Sequence, residues 1–88
     1  MTTKFTGRER VLLAAGLCGW EVRPTGPDTD VLWLSRHRWI WVRYDRIGRV
    51  IEATDHAQIG EGGPSIERSL ERSAGRADRI IGWITALR

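Results

Sequence analysis

The sequence predicts an α+β fold: an antiparallel meander of three or four strands, flanked by a short N-terminal helix and a long C-terminal helix. Three observations predict it. Arg38-Trp39-Ile40-Trp41-Val42-Arg43-Tyr44 alternates two side-chain sets with a period of two, the mark of an extended strand. Thr6-Gly7-Arg8-Glu9 reads as a capping box ahead of the apolar run Val11 to Ala15. Ile66, Leu70, Ser73, Ala77, Ile80, Ile84 and Leu87 recur at spacings of four and three, as one seam of a helix would.

Taken in order, the first helix has Thr6 as N-cap and Gly16 or Gly19 as C-terminal stop, with Arg8 and Arg10 facing water. Trp20-Glu21-Val22-Arg23 alternates as a short strand that Pro24 should end, because proline has no N–H for a sheet ladder. Pro24 to Asp30 then has the composition of a surface loop. Val31 to Ser35 forms the next strand, and the polar link around Arg36-His37-Arg38 leads into the Trp39/Trp41 strand. Asp45-Arg46-Ile47-Gly48 is a hairpin turn whose Gly48 can take positive φ, and Arg49 to Thr54 returns antiparallel. Closing that turn over four residues pairs Tyr44 with Arg49, Val42 with Ile51 and Ile40 with Ala53, and sets Trp41 beside Glu52 and Trp39 beside Thr54. The register of the preceding hairpin stays open: an even loop brings Leu32 and Leu34 beside the tryptophans, and a three-residue loop brings Trp33. Asp55 to Gly63 reads as a loop, and Pro64 as the opening of a helix reaching Arg88, with a bend at Gly75 left open.

Length and composition bound the function. Eighty-eight residues make one domain, 1–88, near the lower end of what a single core stabilises unaided. Hydrophobic content of 41% with five tryptophans argues against disorder. Cys18 is the only cysteine, so no intramolecular disulfide can form, which suits a reducing cytoplasm. No apolar run is long enough to span a bilayer and no signal-peptide core precedes the first helix; the expected location is cytoplasmic. The net charge is +3, with thirteen arginines against one lysine, a mild lean toward polyanions.

Catalytic and cofactor signatures are weak. His37 and His56 share no metal-ligand spacing with Cys18 or each other, so neither metal nor cofactor is expected. Gly60-Glu61-Gly62-Gly63 lacks the lysine of a phosphate-binding loop. What stands out is the strand face of Trp39, Trp41 and Arg43, which with Arg36 and Arg38 at its rim forms the candidate binding site for a protein partner. The same arginine and tryptophan set, able to stack bases and neutralise phosphates, makes nucleic acid the alternative ligand. Ile80, Trp83, Ile84 and Leu87 on the last helix are candidates for homodimerisation, as is the tryptophan face itself.

Two resemblances bear on this reading. The order helix, three strands, helix is that of the double-stranded-RNA-binding domain, but Pro64-Ser65-Ile66-Glu67-Arg68 lacks its lysine cluster, so no RNA-contacting residue carries over. The Thr6-to-Leu13 helix, Gly19-Trp20, and the Trp41-Val42-Arg43-Tyr44-Asp45 to Gly48-Arg49-Val50-Ile51 hairpin resemble small accessory proteins of actinobacterial phages over about sixty residues. That resemblance implies a noncatalytic protein that binds a host or phage protein, with nucleic acid as the alternative, in the host cytoplasm if the chain is phage-encoded.

Overall fold

In the computed structural model, which describes residues 5–58, 64–71 and 76–86, the chain forms two layers. One is an antiparallel sheet of β1 (Glu21–Gly26), β2 (Thr29–Ser35), β3 (Arg38–Tyr44), β4 (Val50–Gln58) and β5 (Ser65–Glu71), in sequential order. The other is α1 (Gly7–Leu17) with α2 (Arg76–Thr85), both on one face of the sheet. The α+β meander is therefore as expected, with a fifth strand added and the last helix shortened.

The α1 capping box is present as read: Glu9 N–H donates to Thr6 Oγ1 at 3.1 Å, and Thr6 N–H donates to the Glu9 carboxylate at 2.8 Å. Cys18 caps the other end, and Gly19, at φ +81°, turns the chain toward the sheet. Val11 and Ala15 of α1 and Ile80 and Ile84 of α2 are buried against Leu32, Ile40, Val42 and Ala53. The hydrophobic effect supplies this contact, and it occupies every alternate position of the central strand, whose burial alternates without a break from Arg38 to Tyr44.

Four expectations are corrected. Residues 65–71 form a strand, because the nine-residue β4 would otherwise present its N–H and C=O groups unpaired along an open edge. Ser-Ile-Glu-Arg-Ser-Leu-Glu fits either a helix or a strand, and pairing with β4 decides it. The helix seam survives only in Arg76–Thr85, where Ala77, Ile80 and Ile84 face inward; Gly75 and the 60–63 glycine run lie outside the described residues.

Second, Pro24 does not end β1. The strand continues to Gly26 past a bulge, which an edge strand tolerates because one side of its ladder is unpaired. Third, Thr29 and Asp30 begin β2 rather than closing a loop. Asp30 is buried and receives two hydrogen bonds, at 3.0 and 2.9 Å, from the Arg8 guanidinium that the sequence left in water. Fourth, β3 and β4 pair two residues further along than a four-residue turn implies: Val42 opposes Ala53, Ile40 opposes Asp55, and Ile51 is the extra residue of a bulge. Val50, not Ile51, enters the core beside Tyr44.

Gly48 takes the positive φ expected of it, +83°, and its carbonyl accepts the Arg8 N–H at 2.8 Å, so the β3–β4 turn abuts the start of α1. A Cβ at this position would lie 2.8 Å from both Cβ and Oγ1 of Thr6, the capping residue. Gly48→Ala is thus expected to lose about 1–3 kcal/mol, from backbone strain and displacement of the cap together. Urea denaturation checks this, and a loss no larger than that of Gly16→Ala, at an open helical position, would contradict it.

Candidate functional site

With both helices on the Ile40/Val42 face, the opposite face of the sheet has no described helix upon it. Register assembles that face in rows. One row runs Glu21, Trp33, Trp39, His56, Glu67, and the next Arg23, Val31, Trp41, Thr54, Ser69. A third carries Thr29, Arg43 and Glu52. Three indoles therefore stand together, each half-buried, and only Trp20 among the five tryptophans is buried.

The row order depends on a bulge. β2 and β3 join through a two-residue turn closed by Ser35 and Arg38, which by simple alternation would bring Leu34 beside Trp39. Leu34 is instead the extra residue of a bulge, so Trp33 moves to the tryptophan face and Leu34 is left exposed.

Neighbouring groups hold these rings in place. Trp39 stacks on His56 with centroids 4.5 Å apart and planes 10° from parallel. The Arg23 guanidinium lies 4.3 Å from the Trp33 ring centroid, within cation–π range. Two ion pairs lie on the face, Arg23 with Glu21 and Arg43 with Glu52, and the Glu67 carboxylate lies 3.3 Å from His56 Nδ1. What remains is an apolar patch framed by the Arg23–Glu21 and Arg43–Glu52 ion pairs and by the Glu67 carboxylate.

Trp39, Trp41 and Arg43 thus share one surface as the sequence implied, and Arg36 is exposed in the β2–β3 turn. Arg38 does not rim the patch. By parity it belongs to the core face, where it is buried, paired with Asp55, and set 5.2 Å from the Trp20 ring centroid. Burial, reinforced by Arg68, pulls its guanidinium below the usual arginine range. Asp55, expected in a loop, is a β4 residue 2% exposed, and it also accepts from Arg68 Nε at 3.1 Å. The proposed self-association seam is likewise spent inside the molecule: Ile80 and Ile84 are core, Trp83 lies half-buried beside the Arg68 guanidinium, and Leu87 is outside the described residues. His56 is a site residue that the sequence reading does not single out, because Asp55 to Gly63 has the composition of a loop; the strand signal is Val50 to Gln58 continuing past Thr54 without a glycine or proline.

A recess of about 870 Å³ opens at one end of the sheet between α1, the β1–β2 turn and the β3–β4 turn, with Arg8, Tyr44, Arg46 and Ile47 among its lining. Tyr44 is 1% exposed, and its hydroxyl has no hydrogen-bond partner among the described residues. Burial, and secondarily the Asp30 carboxylate, hold its ionisation far above the ordinary 10.0, with Arg8 opposing in part. Tyr44→Phe removes an unsatisfied hydroxyl and is expected to be neutral or stabilising by up to about 1 kcal/mol at neutral pH. Its advantage should widen at alkaline pH. The native phenol keeps its proton while the unfolded one ionises at about 10.0, so wild-type stability falls as pH rises above that value. Denaturant titrations on either side of it test the sign, and equal losses in both proteins would contradict it.

Among the described residues no group of three or more His, Cys, Asp or Glu side chains is placed to hold a metal, and no helix is long and apolar enough to cross a membrane. Comparisons with known protein families, with curated proteins and with solved structures give no match.

Proposed function

We propose that this protein is a noncatalytic binding module that engages another protein through the uncovered face of its sheet. The observation carrying this reading is the Trp33/Trp39/Trp41 cluster, half-buried on a face without a described helix, while the helices lie on the other side. Tryptophan is enriched at the energetic centres of protein interfaces, and a framed apolar patch of this kind is uncommon on a surface that binds nothing. The likeness of the first sixty residues to phage accessory proteins points in the same direction.

Protein is favoured over nucleic acid because the cations needed for phosphate are committed elsewhere. Arg23 and Arg43 pair with Glu21 and Glu52, Glu67 adds a negative charge, and Arg38 is buried on the far face. The test is affinity capture with the wild-type chain and a Trp41→Ala variant, each washed across a salt gradient. Retention of a defined protein that withstands moderate salt and disappears with Trp41→Ala supports the reading. Capture of nucleic acid that is lost steeply with salt would transfer the assignment to a polyanion.

A further inference from the structure

We propose that the occupant of the open sheet face is the same face of a second copy of this chain, related by a two-fold axis lying across the strands between the Trp39 and Trp41 rows. This rests on the reading of that face as a protein-binding surface. An isologous contact requires one patch to complement itself, so the series of rows along the strands must match its own reverse when a second copy is turned over onto it. They do. An axis across the strands sets β1 over β1 of the second copy and lays each Glu21–Trp33–Trp39–His56–Glu67 row on an Arg23–Val31–Trp41–Thr54–Ser69 row.

Glu21 then meets Arg23 of the second copy, Trp33 meets Val31, Trp39 meets Trp41, His56 meets Thr54 and Glu67 meets Ser69. Arg43 and Glu52 extend over His37 and Gln58, which adjoin the Trp39 row. Among these residues no like charges oppose one another, histidine being neutral at pH 7. The other two-fold available to stacked sheets, parallel to the strands, sets β1 over β5 and brings Glu21 onto Glu67, so the charge pattern selects the first axis. Size is adequate as well. Five strands about 4.8 Å apart and seven residues of about 3.3 Å give roughly 550 Å² in plan per copy, so a pair buries about 1,100 Å², enough for a specific contact.

Sedimentation equilibrium on the full chain, from low to high micromolar concentration, should return twice the monomer mass at the upper end. Glu21→Arg and Arg23→Glu, both at exposed positions of an edge strand, should each weaken that dimer by about tenfold or more by placing like charges across the axis. Mixed in equal amounts, the two variants should re-form a dimer, since each then meets its opposite; circular dichroism confirms that each is folded. A wild type that stays monomeric throughout overturns the second copy as occupant. The sheet-face reading would survive that result if Trp41→Ala still abolished capture of another protein, and would fall with it if Trp41→Ala changed nothing. A dimer indifferent to both charge reversals overturns the proposed arrangement.

Discussion

Asp55→Ala is expected to destabilise the fold by about 3–5 kcal/mol, a large part of the 5–15 kcal/mol that holds a small domain together. Asp55 is 2% exposed and is the carboxylate partner of Arg38, whose side chain is only 10% exposed. Deleting the carboxylate leaves the Arg38 guanidinium enclosed beneath Trp20 without its counter-charge, together with the nearby Arg68 cation that already disfavours its charge. The loss should greatly exceed that from Glu52→Ala, because the Arg43–Glu52 pair is about two-fifths exposed on both sides and screened by water. Replacing both buried partners, Arg38→Met with Asp55→Leu, should recover most of the stability, since an apolar pair of similar volume carries no desolvation cost. Urea midpoints of the three variants and the wild type check this. An Asp55→Ala protein as stable as Glu52→Ala would show that the buried pair contributes nothing.

The face assignment was legible because seven consecutive residues of β3 alternate without exception, and side-chain direction in a strand depends on parity alone. It survived an error of two residues in the β3–β4 register, because two is the period of the strand. What parity could not reveal were the extra residues. Ile51 and Leu34 each add one position to a hairpin, and nothing in their side chains distinguishes a bulged residue from a paired one.

Asp30 and Asp55 were misread for a related reason. Aspartate is common in turns, so local composition placed both in loops, yet each is held in a strand by an arginine distant in sequence: Arg8 for one and Arg38 for the other. Ser65 to Glu71 was ambiguous in a different way. Its Ile66 and Leu70 are four apart and equally two steps of two, so helix and strand both accept them, and only the unpaired edge of β4 separates the alternatives.

Ile40→Ala and Trp41→Ala, one position apart on the same strand, are expected to fail in opposite ways. Ile40 is fully buried between the sheet and the two helices, and its truncation removes apolar contact and leaves a cavity, costing about 2–5 kcal/mol. Trp41→Ala removes a larger side chain, yet Trp41 is only half-buried and faces away from that core, so its stability cost should be clearly the smaller. Binding should reverse the order. Ile40→Ala, wherever it remains folded, presents an unchanged Trp33/Trp39/Trp41 surface and should bind as wild type does. Trp41→Ala removes an indole from the centre of the face and should weaken association by about 30-fold or more, the scale of an interface anchor worth 2 kcal/mol. Thermal unfolding and binding measured on the same two samples separate the effects. If Trp41→Ala unfolded the chain as readily as Ile40→Ala, the indole would be part of the core, and the sheet would have no surface to offer a partner.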